Sequence, residues 1–143
     1  YENSLVSYHE LKRERMKKKA GGYYSKCEQF NYAGTHLLLE LWGARNTTSL
    51  QKVKKALIDS VDASGATLLE IKLHHFSPNH GISGVAIIKE SHLSIHTWPE
   101  FGYVAIDIFV CGEVNPYKAI PVLKKAFRPK KMQLLELKRG ILE

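Results

Sequence analysis

The side chains with the greatest chemical potential lie in one short stretch, KESHLSIHTWPE, at positions 89–100. It contains two serines, two histidines, one tryptophan and two glutamates, and apolar runs typical of β-strands flank it on both sides. Hydroxyl, imidazole and carboxylate groups at this density indicate nucleophilic or acid–base chemistry. The elements around the stretch decide which of these groups can meet.

Strand parity gives a first placement, because alternate side chains of a strand point to opposite faces of its sheet. In SHLSIHTW (91–98), one face carries the polar and aromatic side chains: His92, Ser94, His96 and Trp98. In YVAIDIFVCG (103–112), Cys111 falls on the mixed face. If the two strands pair, His96 and Cys111 come to share a surface as a nucleophile and base or as a proton-transfer pair. The plainer interpretation of Cys111 is a small apolar residue.

The histidines do not form a metal-binding motif. His92 and His96 are four residues apart, which in a strand separates them by about 13 Å, too far for one metal ion. His74, His75 and His80 fit surface histidines better than ligands, since neither His-x-His nor HExxH occurs among them. A zinc enzyme is therefore not predicted, whereas a cysteine hydrolase stays open despite the absence of a recognisable nucleophile turn.

Length and composition indicate one domain of 143 residues. No apolar run approaches the roughly 18–20 residues of a membrane-spanning helix, and no secretory signal is recognisable. Two cysteines, Cys27 and Cys111, give neither a disulfide framework nor a zinc spacing. We therefore expect a cytoplasmic protein without a membrane partner.

The basic charge is concentrated at the start of the chain. Residues 1–26 hold seven Lys or Arg against three acids, a net charge of +4 within a total of +7. The run KRERMKKK (12–19) could contact nucleic acid or another polyanion. A solvated helix face is the favoured interpretation, so a nucleic-acid partner is not predicted.

The patterns predict an α+β fold, an antiparallel β-sheet with two helices packed on one face. Strands are predicted at 35–44, 66–76, 83–90, 91–98, 103–112 and in the last run, 131–140. One helix follows the Asn-Thr-Thr-Ser cluster at 46–49 and ends at Ser64-Gly65, and another follows Asn115-Pro116. Pro121 lies inside this second helix and is expected to cost it a hydrogen bond or to kink it. A further helix is predicted over Glu10 to Ala20. Residues 34–57 and 102–127 share a strand–helix pattern that suggests an internal duplication.

The motifs themselves resemble a known family. ESHLSIHTWPE (90–100), preceded by HFSPNHGISGVAII (75–88) and followed by GYVAIDIFVCG (102–112), is similar to the signature region of the prokaryotic S-adenosylmethionine decarboxylases. The similarity runs from about Tyr32 to Glu143. It implies a two-layer α/β sandwich in a single decarboxylase domain over 32–143, with residues 1–31 as a basic N-terminal extension.

The resemblance implies a covalent pyruvoyl cofactor made from Ser91. The chain would cleave itself between Glu90 and Ser91 into 1–90 and 91–143, through an ester formed by the serine hydroxyl and a subsequent β-elimination. His96 matches the base of this elimination, and Ser83 matches a serine that assists it. By parity Ser91 lies on the opposite face from His96, a conflict that a kink at Glu90–Ser91 would remove.

The resemblance also assigns the substrate site. The substrate would be S-adenosyl-L-methionine, whose amine condenses with the pyruvoyl ketone before carbon dioxide leaves, giving the aminopropyl donor for spermidine. Cys111 matches the residue that protonates the substrate carbon. Phe76 matches an aromatic side chain that stacks on the adenine, Glu100 the acid that holds the ribose hydroxyls, and Trp98 is expected to line the same pocket.

Short chains of this family form homodimers with active sites between the protomers, so the resemblance implies a homodimer here. Two alternatives stay open. One is a relative with the same cofactor that decarboxylates a free basic amino acid such as arginine or ornithine, although Phe76 and Glu100 favour a nucleoside. The other is an unprocessed homologue that acts as a binding or regulatory subunit.

Overall fold

In the part of the chain that the structure describes, a seven-stranded antiparallel sheet forms the body of the molecule. The computed structural model describes Ser25–Lys26 and residues 31–142. The strands are β1 (Ser25–Lys26), β2 (Asn31–Trp42), β3 (Leu68–His75), β4 (Ile82–Ile88), β5 (Ser91–Trp98), β6 (Tyr103–Val110) and β7 (Lys131–Leu142). They lie side by side in the order β1-β2-β6-β5-β4-β3, and β7 pairs with β2 as well.

Two helices, α1 (Leu50–Ser64) and α2 (Ala119–Phe127), pack together on one face of this sheet. Short 3-10 helices at Pro99–Phe101 and Pro116–Lys118 complete the described elements. The core lies between helices and sheet, where apolar residues of β2, β5 and β6 are buried against Leu57, Leu123 and Phe127. The predicted α+β class, with both helices on one side, is confirmed.

The ends of α1 follow from local chemistry. The Ser49 hydroxyl accepts a hydrogen bond from the backbone N–H of Lys52, satisfying a donor that the first turn leaves unpaired. Gly65 ends the helix with φ +76°, a left-handed conformation that a residue without Cβ adopts at little cost. The predicted cap cluster and the predicted stop at Ser64-Gly65 are both confirmed.

The second helix differs from the prediction at its start. Asn115 caps the chain as expected, its side chain accepting from the N–H of Tyr117, but the segment it caps is the 3-10 helix Pro116–Lys118. The α-helix begins only at Ala119, so Pro121 lies in its first turn. Proline is tolerated there because its fixed φ suits a helix start. Pro121 therefore lies in the first turn of α2 rather than in its interior.

Several boundaries also differ. The strand predicted over 83–90 ends at Ile88, and Lys89 and Glu90 form a turn instead. The strands predicted over 66–76 and 103–112 are shorter in the structure, while β2 and β7 are longer than predicted. The helix predicted over Glu10 to Ala20 and Cys27 lie outside the described residues. No helix in the described part of the chain is both long and apolar enough to cross a membrane.

We call the face of the sheet away from the helices the open face, because no element within Ser25–Lys26 and residues 31–142 covers it. Its side chains alternate along the strands with those of the core. They include His36, Glu40, Trp42, Ser83, Ile87, His92, Ser94, His96, Trp98, Tyr103, Asp107, Phe109, Leu135 and Leu137. Polar, aromatic and apolar side chains from five strands thus share one surface.

Candidate active site

Ser91 is the first residue of β5, and it lies opposite Ile88 in β4 and Val110 in β6. Its φ is +140°, a conformation that is costly for any residue with a Cβ. The irregularity that strand parity required at Glu90–Ser91 is therefore present in the backbone. It marks the bond at which the resemblance to the decarboxylases implies cleavage.

The carbonyl before Ser91 is hydrogen-bonded. The backbone N–H of Cys111 donates to the Glu90 carbonyl oxygen across 3.0 Å. Cys111 directly follows Val110, the last residue of β6, so the pairing of β5 with β6 brings it to this position. We call Glu90, Ser91 and Cys111 the serine end of the site.

A second group of predicted residues lies at the opposite end of β5. The Ser83 hydroxyl is 2.8 Å from Nδ1 of His96, and the two residues face each other across β4 and β5. The contact orients the imidazole, while the tautomer decides which group donates. Both side chains lie on the open face and reach solvent.

The predicted substrate-binding residues surround this pair. The ring of Trp98 lies 6.1 Å from that of His96, and Glu100 follows in the exposed 3-10 helix. Phe76 directly follows His75, the last residue of β3, which pairs with Ile82. The Phe76 residue is 45% exposed. We call Phe76, Ser83, His96, Trp98 and Glu100 the histidine end.

The two ends do not meet within one chain. His96 lies opposite Ala105, six residues before Cys111, which amounts to roughly 20 Å of β-strand. Ser91 and His96 are five residues apart on β5, or about 16 Å. The prediction that the imidazole and the thiol meet on the mixed faces of one chain was wrong, because antiparallel register places them at opposite ends of the ladder.

Between the two ends lies a polar network that sequence reasoning missed. The Ser94 hydroxyl donates to Oδ2 of Asp107 across 2.9 Å, and Oδ1 of Asp107 is 3.1 Å from Nε2 of His36. These residues come from β5, β6 and β2. Only the strand order could have revealed their proximity, since His36 and Asp107 are 71 residues apart.

His92 borders this network through its ring contacts with His36 and Phe109. Burial lowers the pKa of His92, and the nearby His36 and Arg139 lower it further, while Asp107 acts in the opposite direction. Arg139 itself lies over the ring of Phe109 at 4.6 Å. The middle of the open face thus disfavours a charged His92.

An aromatic row continues from the histidine end across the sheet. Trp98 contacts Tyr103 with ring centroids 5.1 Å apart, and Tyr103 stacks on Trp42 at 5.9 Å. The Tyr103 hydroxyl donates to a carboxylate oxygen of Glu40. Burial, together with this hydrogen bond and the charge of Glu40, raises the pKa of Tyr103 to about 12. Tyr103 therefore stays a neutral donor at ordinary pH.

Metal ligands are not assembled here. Within Ser25–Lys26 and 31–142, no three His, Cys, Asp or Glu side chains come together in an arrangement that could hold a metal ion. His75 and His80 have ring centroids 5.5 Å apart, but both are exposed.

Comparison with known proteins places this geometry in a family. The family model described as S-adenosylmethionine decarboxylase matches residues 35–140. A protein of Thermomicrobium roseum named S-adenosylmethionine decarboxylase proenzyme is 51% identical over 110 residues, which cover 76% of this chain and 95% of the relative. A Methanococcus maripaludis protein of the same name is 50% identical, with coverage of 77% and 92%.

The fold agrees with these sequence matches. The crystal structure of the adenosylmethionine decarboxylase from Aquifex aeolicus is similar at a TM-score of 0.71, with 31% sequence identity, over 77% of this chain and 92% of that one. The family predicted from the motifs is confirmed. The chain belongs to the S-adenosylmethionine decarboxylase family.

Proposed function

We propose that this chain is the proenzyme of a pyruvoyl-dependent decarboxylase, which cleaves itself between Glu90 and Ser91 and then acts on S-adenosyl-L-methionine. Family membership supports the reaction class. One structural observation carries the assignment of residues, namely that the serine end and the histidine end occupy the two ends of the same strand. Each end holds part of the machinery that self-cleavage and decarboxylation need.

Self-cleavage begins at the serine end. The Ser91 hydroxyl attacks the Glu90 carbonyl carbon, and the C–N bond breaks to leave an ester and a free amine, which receives the hydroxyl proton. Negative charge develops on the Glu90 carbonyl oxygen during the attack. The Cys111 N–H, which already donates to this oxygen, stabilises that charge. The arrangement fits the formation of a pyruvoyl group from Ser91.

The second step requires a base. Elimination of the ester removes the α-proton of Ser91, and the main-chain α-carboxylate of Glu90 leaves as the new carboxyl terminus. Hydration of the resulting dehydroalanine then releases ammonia. We assign the base to His96, whose ring is oriented by Ser83. Because His96 is about 16 Å along the strand from Ser91 in its own chain, the partner's His96 must serve each Ser91.

The open face is suited to such a dimer. An uncovered sheet face normally packs against another layer, and this one exposes the large apolar side chains of Ile87, Trp98, Leu135 and Leu137. A two-fold axis that runs across the strands would pack two such faces together and exchange the ends of β5. The serine end of one chain would then lie opposite the histidine end of its partner.

The histidine end is also the place for the substrate's nucleoside. Phe76 offers an exposed ring on which the adenine can stack, and the Glu100 carboxylate can accept hydrogen bonds from both ribose hydroxyls. Trp98 would form a wall of this pocket. The pyruvoyl group, once formed, supplies the electron sink for decarboxylation. We assign protonation of the substrate carbon to the Cys111 thiol at the serine end.

Substrate choice within this chemistry is part of the proposal. An arginine guanidinium or an ornithine ammonium could also contact an aromatic ring and a carboxylate. Only a nucleoside offers a neutral base that stacks on the ring together with two neighbouring hydroxyls that both donate to one carboxylate. Phe76 and Glu100 therefore favour S-adenosylmethionine, and with it a product that donates aminopropyl groups in spermidine synthesis. Action in the cytoplasm stays a prediction.

Intact-mass spectrometry of the purified protein, followed by release of labelled carbon dioxide, tests the proposed function. We expect two fragments that split at Glu90–Ser91, the second without a normal amino terminus, and carbon dioxide from S-adenosylmethionine. A single uncleaved mass, with no carbon dioxide released from S-adenosylmethionine, arginine or ornithine, would refute the proposal. Cleavage with release only from an amino acid would retain the cofactor and change the substrate.

Coexpression of two inactive variants tests the dimer. A Ser91→Ala chain has an intact histidine end, and a His96→Ala chain has an intact serine end. Neither should cleave alone, whereas a mixed dimer contains one complete site, so the His96→Ala chain should be cleaved when both are present. Failure to cleave in verified mixed dimers would show that each chain serves itself.

A further inference from the structure

The link between β4 and β5 is a two-residue turn of an unusual composition. Ile88 pairs with Ser91, so Lys89 and Glu90 alone connect the strands. Two-residue hairpins favour turns with positive φ in the turn itself, which Gly or Asn supplies most easily. Neither Lys89 nor Glu90 has a positive φ, and the next residue, Ser91, has φ +140°. The unfavourable conformation thus lies on the residue that follows the scissile bond.

Hydrogen bonds to Thr67 and Cys111 hold this turn in place. A side-chain oxygen of Glu90 accepts from the backbone N–H of Thr67 across 3.0 Å, and the Lys89 N–H donates to the Thr67 carbonyl oxygen across 2.9 Å. The Glu90 carbonyl accepts from Cys111, as described above. Thr67 directly precedes β3 and Cys111 directly follows β6, so the turn is fixed from both sides.

We propose that Glu90 is a positioning residue for self-cleavage, and that its side chain, bound to the Thr67 N–H, keeps Ser91 in the strained conformation from which it reacts. This inference rests on the proposed cleavage at Glu90–Ser91. The φ torsion of Ser91 is defined by the peptide bond to Glu90, so the strain disappears when the acyl shift breaks that bond. Strain that is present before the reaction and absent afterwards favours cleavage.

The role of the Glu90 side chain is that of a hydrogen-bond acceptor, which amide and carboxylate oxygens share. Glu90→Ala removes the contact with Thr67 and should slow self-cleavage roughly tenfold. Glu90→Gln keeps an acceptor oxygen and should recover most of the rate. Glu70→Ala, which removes an exposed carboxylate from β3, is the matched control and should leave the rate unchanged.

Replacing the turn sequence provides a second test that does not depend on losing stability. Asn-Gly at positions 89 and 90 (K89N/E90G) suits the preferred hairpin turn and should relax Ser91. We expect a higher unfolding temperature together with slower self-cleavage, again by roughly tenfold. If the turn had only a structural role, the unfolding temperature and the rate of self-cleavage would rise together or fall together.

The measurement is the time course of cleavage after cell-free synthesis, followed by intact mass, with unfolding temperatures taken in a Ser91→Ala background. Wild-type protein that never cleaves at Glu90–Ser91 would refute the proposed function. If the wild type cleaves and Glu90→Ala cleaves equally fast, only the positioning role of the Glu90 side chain would be refuted. Glu90→Gln as slow as Glu90→Ala, or a fast Asn-Gly variant, would also overturn the inference.

Discussion

The Ser83 hydroxyl lies 2.8 Å from Nδ1 of His96, and the two residues are cross-strand neighbours in β4 and β5. Such neighbours hold each other in a sheet with little freedom. The pair therefore presents one ring nitrogen of His96 in a fixed direction on the open face. In the proposed dimer, in which His96 acts as a base on the other chain, this fixed orientation would help because the partner cannot adjust the ring.

Removal of the base should stop the second step of self-cleavage but not the first. We expect His96→Ala to slow formation of the two fragments by about 10²–10⁴-fold, the usual contribution of a positioned general base. An ester that persists at Glu90–Ser91 can be cut by hydroxylamine, and mass spectrometry of the treated protein would detect it. Cleavage at the normal rate in His96→Ala would exclude this residue as the base.

A mutation should separate the role of the Cys111 thiol from that of the Cys111 backbone N–H. Cys111→Ala keeps the N–H that donates to the Glu90 carbonyl but loses the thiol. We expect self-cleavage to continue within a few fold of wild type, while decarboxylation per pyruvoyl group falls by about 10²–10⁴-fold. Carbon dioxide release normalised to the cleaved fraction measures this effect. Equal losses in both reactions would instead assign the thiol to processing.

The open face should be required for assembly. Ile87 lies on this face and is 42% exposed, so Ile87→Glu would place a charge in the proposed interface. We expect a monomer by sedimentation analysis and no self-cleavage. Leu50→Glu is a matched control, because Leu50 is exposed to a similar extent, 39%, at the start of α1 on the other side of the molecule. A dimeric, cleaved Ile87→Glu protein would contradict the interface.

His92 should make stability depend on pH. Its folded pKa is lowered, first by burial and then by His36, so the folded state binds fewer protons than the unfolded state once the pH falls below about 6.5. The contribution of His92 is therefore complete above about pH 6.5 and is lost as the pH falls through the folded pKa. Unfolding temperatures between pH 5 and 8, measured at one protein concentration in a Ser91→Ala background, show the slope.

His92→Gln should flatten this slope relative to the parent. His80→Gln, at an exposed position in the loop after β3, is the control and should leave the slope as it was. Identical slopes for the parent and His92→Gln would refute the assignment of the pH dependence to His92.

Gly34 should be needed for the close approach of β2 to β6. A Cβ at this position would lie 2.4 Å from the carbonyl oxygen of Val110, a backbone atom that cannot move independently. We expect Gly34→Ala to reduce the free energy of unfolding by about 1–3 kcal/mol, the usual cost of overpacking. Since Val110 faces Ser91, self-cleavage should slow as well. Urea unfolding in the Ser91→Ala background and a cleavage time course measure the two effects.

The sequence predicted the individual strands and helices better than the register and contacts between them. Alternation in 91–98 and 103–112 and the caps at Ser49 and Gly65 are local signals, and the structure follows them. The meeting of His96 and Cys111 depended on register, which parity does not define. Pairing of Ser91 with Val110 places the two groups at opposite ends.

The same limit explains what was missed. His36, Asp107 and Ser94 come together through the order of β2, β6 and β5, and no local pattern encodes that order. The anchor of Glu90 on Thr67 joins residues 23 positions apart through a backbone N–H, which any residue other than proline would offer. The motifs pointed to the residues that we propose to react, whereas the contacts that position them could be found only in the fold.

The strand order has a further consequence for the proposed cleavage. A cut after Glu90 would leave β1 to β4 in the first fragment and β5 to β7 in the second. The fragments alternate in the sheet, since β2 lies between β6 and β7, and β5 lies between β6 and β4. Three complete ladders therefore cross the boundary between the fragments: β2 with β6, β2 with β7, and β4 with β5. The two fragments of the proposed product would therefore share one interleaved sheet, and they could separate only if the sheet itself unfolded.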